Sequence, residues 1–440
     1  MYERGFRCLI CGREYTLDEV EYVCPHHDLP GVGTLDVLYD YDAIARVTSP
    51  ARIARDPDPS IARYDALLPI RSRASLPPIP VGGTPMYHAQ RLGEMLGLPH
   101  LYLKDDGRNP SASFKDRASA IAVARARDAG QSVITGASTG NAAASLALLA
   151  ASVGIKAVIF VPESAPEAKI AQLLIHGAQV FAVRGSYDQA FDLCLEASRR
   201  YGWYNRNTGY NPFMTEGKKS AAYEIVEQFT AMSRLGLSAL LGHRGDWSQG
   251  DGDRWDAPDR IFVSVGDGCI IGGLGKGIRD MLALGWIERP PKLMGVQARG
   301  SAAIYNAWRS GSQTITPVSP TTLADSISVG RPRDPYKALA AVRDTGGEML
   351  LVSDEEILDA MRVLAREAAV FVEPAAAAAF AGLRRALAEG RVHPEERIVV
   401  LLTGNGLKDV RAAVKAAGSP TSISPTLDAV AKVRLLGVRR

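Results

Sequence analysis

The chain has 440 residues, 46% of them hydrophobic and 22% charged, with a formal net charge of +3. That length predicts about two to three domains around a large core, and so small a net charge gives no argument for nucleic acid or a membrane surface as the partner, so neither is expected. No run reaches the roughly 20 apolar residues of a membrane helix, and the opening MYERGFRC lacks the charged-then-apolar order of a signal peptide. Only 5 cysteines are present, which predicts a reducing, cytoplasmic setting without a disulfide framework.

Residues 1–40 read as a separate small unit. Cys8 and Cys11 form a CxxC knuckle with Gly12 in the turn, and Cys24-Pro25-His26-His27 supplies a second pair. Cys8, Cys11, Cys24 and His27 are expected to make a closed tetrahedral zinc site of structural type. A ribbon that folds without metal is the alternative. The LDVLYDYD that follows alternates as a strand should.

Residues 41–80, rich in Arg, Asp and Pro, read as a connecting arm with short helices. Gly82-Gly83-Thr84-Pro85 is a turn, and a helix is expected from there through Leu98. Leu101-Tyr102-Leu103 ends a strand and runs into DDGRNPSASFKDR. Behind Ser111 and Ser113, Lys115 heads an Ala-rich segment with helical spacing. A helix N-terminus carries partial positive charge, so a cation there is electrostatically misplaced. It becomes sensible if the amine acts as a neutral nucleophile with an anion nearby. The competing reading is a surface lysine in a first turn.

From 131 to 214 short strands alternate with helices: VITGAS, KAVIFVP, QVFAVR and WYNRN are the strands. That pattern predicts a parallel sheet covered on both faces, a domain of its own. Glu216–Gln228 is predicted helical, and the polar stretch 234–258 a surface loop of unassigned role. The βα pattern resumes with RIFVSVGDG, a helix from Ile271, KLMGVQA and finally IVVLLTGNG. The Ala run 375–379 is expected to pack closely on a neighbour, and the basic end from Lys432 to be a solvated tail. The expected architecture is α/β, with two doubly wound domains and the active site between them. The large domain would take 41–130 and 215–440, the small one 131–214.

Ligands in open α/β sheets sit at the carboxyl ends of strands, and three loops there carry chemistry. Ser138-Thr139-Gly140-Asn141 opens a helix with hydroxyls and an amide, which suits an oxyanion; plain N-capping is the alternative. Gly266-Asp267-Gly268-Cys269-Ile270 lets backbone N–H groups converge on a phosphate, although such a loop is also found as a simple turn. Thr403 places a hydroxyl at a strand end. A nucleophilic lysine, two anion sites and a neutral hydroxyl together match pyridoxal phosphate better than a nucleotide. A neutral threonine at the pyridine nitrogen would suit elimination and replacement over transamination.

The motifs GGTP, YLKDDGRNPSASFKDR, GASTGNAAAS, NPFMTEGKKSAAYEI, VSVGDGCIIGGLGKG, VSDEEIL, EPAAAAA and LLTGNGLKD span residues 81 to 415. They resemble threonine synthases, among the fold-type II pyridoxal-phosphate enzymes of the tryptophan synthase beta-like superfamily. The resemblance implies that Lys115 holds the cofactor's aldehyde and shuttles protons. It implies Asn141 on the ring oxygen, Gly266, Asp267, Gly268, Cys269 and Ile270 around the phosphate, and Thr403 at the ring nitrogen. Ser138 and Thr139 would bind the substrate's carboxylate or phosphate. A homodimer is implied too. The family loop GNGGN is here GDGCI, its NPxRxEGQKT carries Met214 for arginine and Lys218 for glutamine, its TGHG has Asn405, and Asp325 replaces a neutral residue. Lys218 is expected to restore the charge near the substrate. The implied reaction converts O-phosphohomoserine and water to threonine and phosphate. The rival is β-replacement or β-elimination on a phosphoserine-, cysteine- or threonine-like substrate, as in cysteate synthase or threonine dehydratase. A vestigial site on a metal-binding scaffold is the reading from another class.

Overall fold

β-Branched runs separated by Ala-rich helices can bury both faces of a sheet only by crossing over it, and that is how this chain folds. The computed structural model describes residues 1–27, 34–235 and 254–432. Strands β1 (Glu3–Cys8), β2 (Glu14–Tyr15) and β3 (Leu35–Tyr39) form an antiparallel sheet in the order β2-β1-β3. Next come β4 (Met86–His88), β5 (Leu101–Asp105), β6 (Val133–Ala137), β7 (Lys156–Pro162), β8 (Gln179–Val183) and β9 (Tyr204–Asn205). The last four strands are β10 (Arg260–Ser264), β11 (Lys292–Ala298), β12 (Glu348–Val352) and β13 (Ile398–Leu402).

A six-stranded sheet runs β12-β11-β10-β13-β5-β4, and a four-stranded one β8-β7-β6-β9. The smaller sheet is parallel throughout. In the larger, only the β4–β5 pair is antiparallel. Ile398 of β13 lies opposite Arg260 on one side and Leu101 on the other. The carboxyl ends of β5, β10 and β13 therefore finish side by side, and the segments of Lys115, Gly266 and Thr403 leave the sheet together. Both β10 and β13 are buried along their whole length.

Glycine and alanine set how closely the helices approach. Ala375–Ala379, on the helix Pro374–Ala388, are all within 2% of full burial. A Cβ on Gly382 of the same helix would stand 2.3 Å from the Val296 side chain of β11. The helix Phe213–Leu235 is wedged between the helices Lys115–Asp128 and Cys269–Ala283. A Cβ at Gly217 would fall 2.2 Å from the Arg117 carbonyl, and one at Gly273 would fall 2.6 Å from Cβ of Lys218. Close packing of this kind leaves no room for a methyl group. The N-terminal sheet docks on the same helices: the Lys276 amine donates to the Val37 carbonyl at 2.7 Å, and Arg279 pairs with Asp36 at 2.7 Å.

Several elements differ from expectation. The helix predicted from Pro85 to Leu98 is shorter, Gln90–Leu96, because Met86–His88 pairs with Tyr102–Lys104 as an edge strand. Gly97, at a φ of 68°, ends the helix in the left-handed region that favours glycine. β12 was not expected; its five residues become a strand only by lying beside β11. The helix predicted over Glu216–Gln228 extends to Phe213–Leu235. Of the segment 234–258, residues 236–253 lie outside the described residues, as does the tail 433–440. Trp255, just after the first gap, is buried edge-on against Trp286. Among the described residues no helix is long and apolar enough to cross a membrane.

Candidate active site

The lysine turn is held from both sides. The Asp116 carboxylate accepts from the Ser111 amide at 2.7 Å and its hydroxyl at 2.6 Å, which closes the loop over Ala112, at a φ of 60°. The Phe114 amide donates to the Thr403 carbonyl at 2.9 Å, and the Asn405 amide to the Ala112 carbonyl at 3.0 Å. Lys115 is thereby stapled to the end of β13 at the head of its helix. It is half-buried and lines a cavity of about 680 Å³ between the two larger sheets. Burial lowers its amine's pKa against the opposing pull of Glu373, which favours the neutral nucleophile.

The structure brings Ser138, Thr139, Asn141, Lys218, Gly266, Asp267, Gly268, Cys269, Ile270 and Thr403 into the wall of this same cavity. The Gly266–Ile270 loop runs bare into the helix Cys269–Ala283, whose start has no side-chain cap. Gly268 has a φ of 95°, and a Cβ there would stand 2.6 Å from the Asp334 carbonyl. Free N–H groups at a helix start are a ready anion cradle. The Asp267 carboxylate does not spoil it, because it accepts from the Arg333 amide at 3.1 Å. Enclosure pushes its pKa up.

N-capping does not account for the Ser138 loop. The helix Asn141–Ala151 starts at Gly140 without a side-chain cap, and the Ser138 hydroxyl accepts from the Gly140 amide at 3.2 Å. Asn141, expected on a cofactor oxygen, donates its amide to both oxygens of Glu373, at 2.9 and 3.1 Å. Burial raises the Glu373 pKa, while Asn141 and Lys115 act against the rise. The close approach of Gly404 fixes this carboxylate: a Cβ there would stand 2.5 Å from Glu373 Oε1. At the rim Asp325 is ion-paired with Lys169. A neutral-capable amine, a bare phosphate cradle and a hydroxyl at a strand end in one cavity fit pyridoxal phosphate.

At the N-terminal unit, one donor atom from each of Cys8, Cys11, Cys24 and His27 lies within 4.8 Å of the others. The Ile10 amide donates to the Cys8 sulfur at 3.4 Å, and the Cys11 and Cys24 sulfurs are 3.9 Å apart. His27 Nε2 is buried with no hydrogen-bond partner. Three thiols and an imidazole aimed at one point suit a tetrahedral zinc ion.

The family model for pyridoxal-phosphate dependent enzymes matches residues 79–404. A threonine synthase of Methanocaldococcus jannaschii is 36% identical over 97% of this chain and 98% of its own length. The chain belongs to the threonine synthase family of pyridoxal-phosphate-dependent enzymes. Its likeness to a Methanosarcina acetivorans threonine synthase is 37% over 96% of this chain and 97% of that one. Among solved structures, the tomato (Solanum lycopersicum) threonine deaminase isoform 2 superposes with a TM-score of 0.61. It is 22% identical and covers 76% of this chain and 87% of its own. Escherichia coli diaminopropionate ammonia lyase gives 0.63 at 17% identity, covering 85% and 91%. At these identities the two structures speak for the fold-type II architecture alone.

Glu373 and Arg206 are among the cavity residues that were not singled out from the sequence. Glu373 stands as N-cap directly before the Ala run, and an acid abutting that run of small apolar residues was the available signal. Arg206 follows β9 and is 3% exposed. Nothing local marks it, since WYNRN reads as an ordinary strand exit.

Proposed function

We propose that this protein is a lyase of the carbon–oxygen class acting on a phosphate ester, converting O-phosphohomoserine and water to threonine and phosphate. The observation that carries the reading is a half-buried, deprotonation-prone Lys115 facing an anion cradle in one enclosed cavity. The relatives named threonine synthase, alike over nearly the whole chain, supply the reaction.

When bound, pyridoxal phosphate supplies the electron sink that makes protons at the substrate's Cα and Cβ removable. Lys115 would be the residue that holds the cofactor's aldehyde, and its amine is placed to carry protons at the substrate's Cα and Cβ. The amides of Gly266 to Ile270 hold the cofactor phosphate. Thr403 would meet the ring nitrogen as a neutral partner, and Asn141, whose amide donates to Glu373, would meet the ring oxygen. Ser138 and Thr139 bind the substrate carboxylate. Glu373 is the carboxylate facing Lys115, and the attraction between the two opposes the neutralising effect of burial on each. Residues 1–40 form the zinc-bearing unit, 131–214 the small domain, and 41–130 with 215–440 the large one. The working form is a cytoplasmic homodimer.

The test is to supply O-phosphohomoserine to the cofactor-loaded protein and follow phosphate and amino-acid products together. Threonine released in step with phosphate is the expected result. Spectral responses to phosphoserine or threonine without any phosphate release from O-phosphohomoserine would move the substrate to the replacement or elimination class.

For the metal, protein purified without chelator should carry about one zinc per chain, and Cys24→Ser should lose most of it. Elemental analysis decides; less than about a tenth of an equivalent in the parent protein would end the assignment.

A further inference from the structure

The N-terminal unit reaches both of the larger sheets. Its own strands sit on the helices of the six-stranded one. Beyond the Val37 and Asp36 contacts, the Tyr41 hydroxyl just past β3 donates to Asp280 at 2.5 Å, and Phe6 of β1 meets Phe213 edge-on at 5.5 Å between ring centroids. The loop between the two cysteine pairs goes the other way. Tyr22 is buried with Phe160, Phe191, Cys194 and Tyr210 in the core of the four-stranded sheet. Its ring lies 5.0 Å from that of Tyr210 and 6.3 Å, edge-on, from that of Tyr204.

β9 is an edge strand, and an edge leaves backbone groups without a neighbour. The Arg206 amide donates inward to the Thr135 carbonyl of β6 at 2.8 Å, so the Asn205 amide and carbonyl face outward. The Tyr22 hydroxyl accepts from that amide at 3.3 Å, and the Asn211 side chain donates to that carbonyl at 2.8 Å. From there the hydrogen bonds run to the cavity. Asn205 Oδ1 accepts from the Asn207 amide at 2.8 Å, and Asn207 Oδ1 from the Ala137 amide at 2.7 Å. Ala137 ends β6 directly before Ser138, and both Ala137 and Asn207 line the cavity.

The metal-binding cluster lies between the two footings. Cys8 closes β1 and Cys11 follows in the next turn, whereas Cys24 and His27 belong to the loop that carries Tyr22. Among the described residues, no backbone hydrogen bond joins residues 17–26 to β1, β2 or β3. The link falls to side chains at the cluster, where the Tyr15 hydroxyl and the Cys24 sulfur are 3.1 Å apart. We infer that the N-terminal unit is a strap between the two domains, closed by its metal, and that Tyr22 is a positioning residue for the 138–141 loop. Tyr22 acts from outside the cavity: it fixes the edge of β9, hence Asn207, and so the backbone from which Ser138 and Thr139 project. The metal does no chemistry on the substrate; it holds the arm that carries Tyr22 to the sheet docked on the other domain. The inference rests on the reading above, which gives the substrate to Ser138 and Thr139.

The test compares Tyr22→Ala, Tyr22→Phe and Cys24→Ser holoenzymes with the parent, by hydrogen exchange and by kinetics. In Tyr22→Ala, peptides covering 135–139 and 204–208 should exchange about tenfold faster or more, while β10 and β13 keep the parent's protection. KM for O-phosphohomoserine should rise about 30-fold with kcat within about threefold, since Lys115 and the 266–270 loop stand on the other sheet. Tyr22→Phe keeps the ring and loses the acceptor. It should recover most of the KM and leave only the faster exchange at 204–208. Cys24→Ser, with Tyr22 still in the chain, should reproduce the exchange pattern of Tyr22→Ala. Should Tyr22→Ala fail to fold, the other two variants carry the test through the same exchange readout. Parent-like exchange at 204–208 in the folded variants, or a parent-like KM in folded, cofactor-loaded Tyr22→Ala, would overturn the proposal. If the parent makes no threonine from O-phosphohomoserine, yet the variants show this exchange pattern and a weakened spectral response to serine, the strap stands and the assigned reaction falls.

Discussion

Lys115→Ala should reduce threonine formation by about 10⁴-fold or more and abolish the absorbance of lysine-bound cofactor. Removal of the amine takes away both the group that holds the aldehyde and the base that moves protons. No other amine is placed to replace it: Lys218 is bonded to Met214 and Thr208, and Lys337 to Thr215 at 3.0 Å. The fold should survive, because the turn is held by Asp116, Ser111 and the Thr403 backbone and not by the lysine side chain. Single-turnover kinetics and an absorbance spectrum of the purified variant decide the matter. More than about one per cent residual activity, with the absorbance band retained, would move the chemistry to another residue.

Glu224→Gln should cost about 3–5 kcal/mol of stability, the largest stability effect expected of any single substitution considered. Glu224 is 3% exposed and stands between two fully buried cations. One oxygen pairs with Lys104, and the other accepts from Arg117 at 2.9 Å. Arg117 also meets both oxygens of Asp106, at 2.6 and 2.9 Å, and the Thr84 amide donates to Glu224 at 2.9 Å. Gln would leave two cations with the one carboxylate of Asp106. The GGTP motif belongs to the same knot: a Cβ on Gly82 would stand 2.9 Å from Glu224 and 3.1 Å from Arg117.

The pH dependence carries a definite sign. Burial alone would raise the Glu224 pKa, but Arg117 and Lys104 hold the carboxyl well below its ordinary range. Its stabilisation is therefore complete above the unfolded value of about 4.3 and is lost as pH falls below it. Urea midpoints of parent and variant should differ most near pH 7, and the difference should shrink steadily as pH falls below about 4, closing only in stronger acid. Equal midpoints at neutral pH would show that the network contributes no net stability. Arg117 lies two residues beyond Lys115, so the variant should lose some activity as well as stability.

Local chemistry made much of this protein legible in the amino-acid order. A cation at a helix head, a glycine run after a strand and a CxxC knuckle each announce themselves within a few residues, because one turn of backbone decides their geometry. So does β13, whose unbroken apolar run IVVLL suits a strand buried on both faces. Long-range packing decided the rest. The edge strands β4 and β12 exist because a neighbour offers a hydrogen-bonding edge, which no local pattern reports. Glu373 meets Asn141 across 232 positions, and Lys104 meets Glu224 across 120. Whether a charged side chain is solvated, neutralised or left wanting an anion depends on what folds over it. Arg117 and Arg206 read alike in the sequence; burial gives the first two carboxylates and the second only hydroxyls. Residue type and spacing thus determined which chemistry the chain can hold, and the tertiary structure decided which charges were stripped of water and what remained to face them.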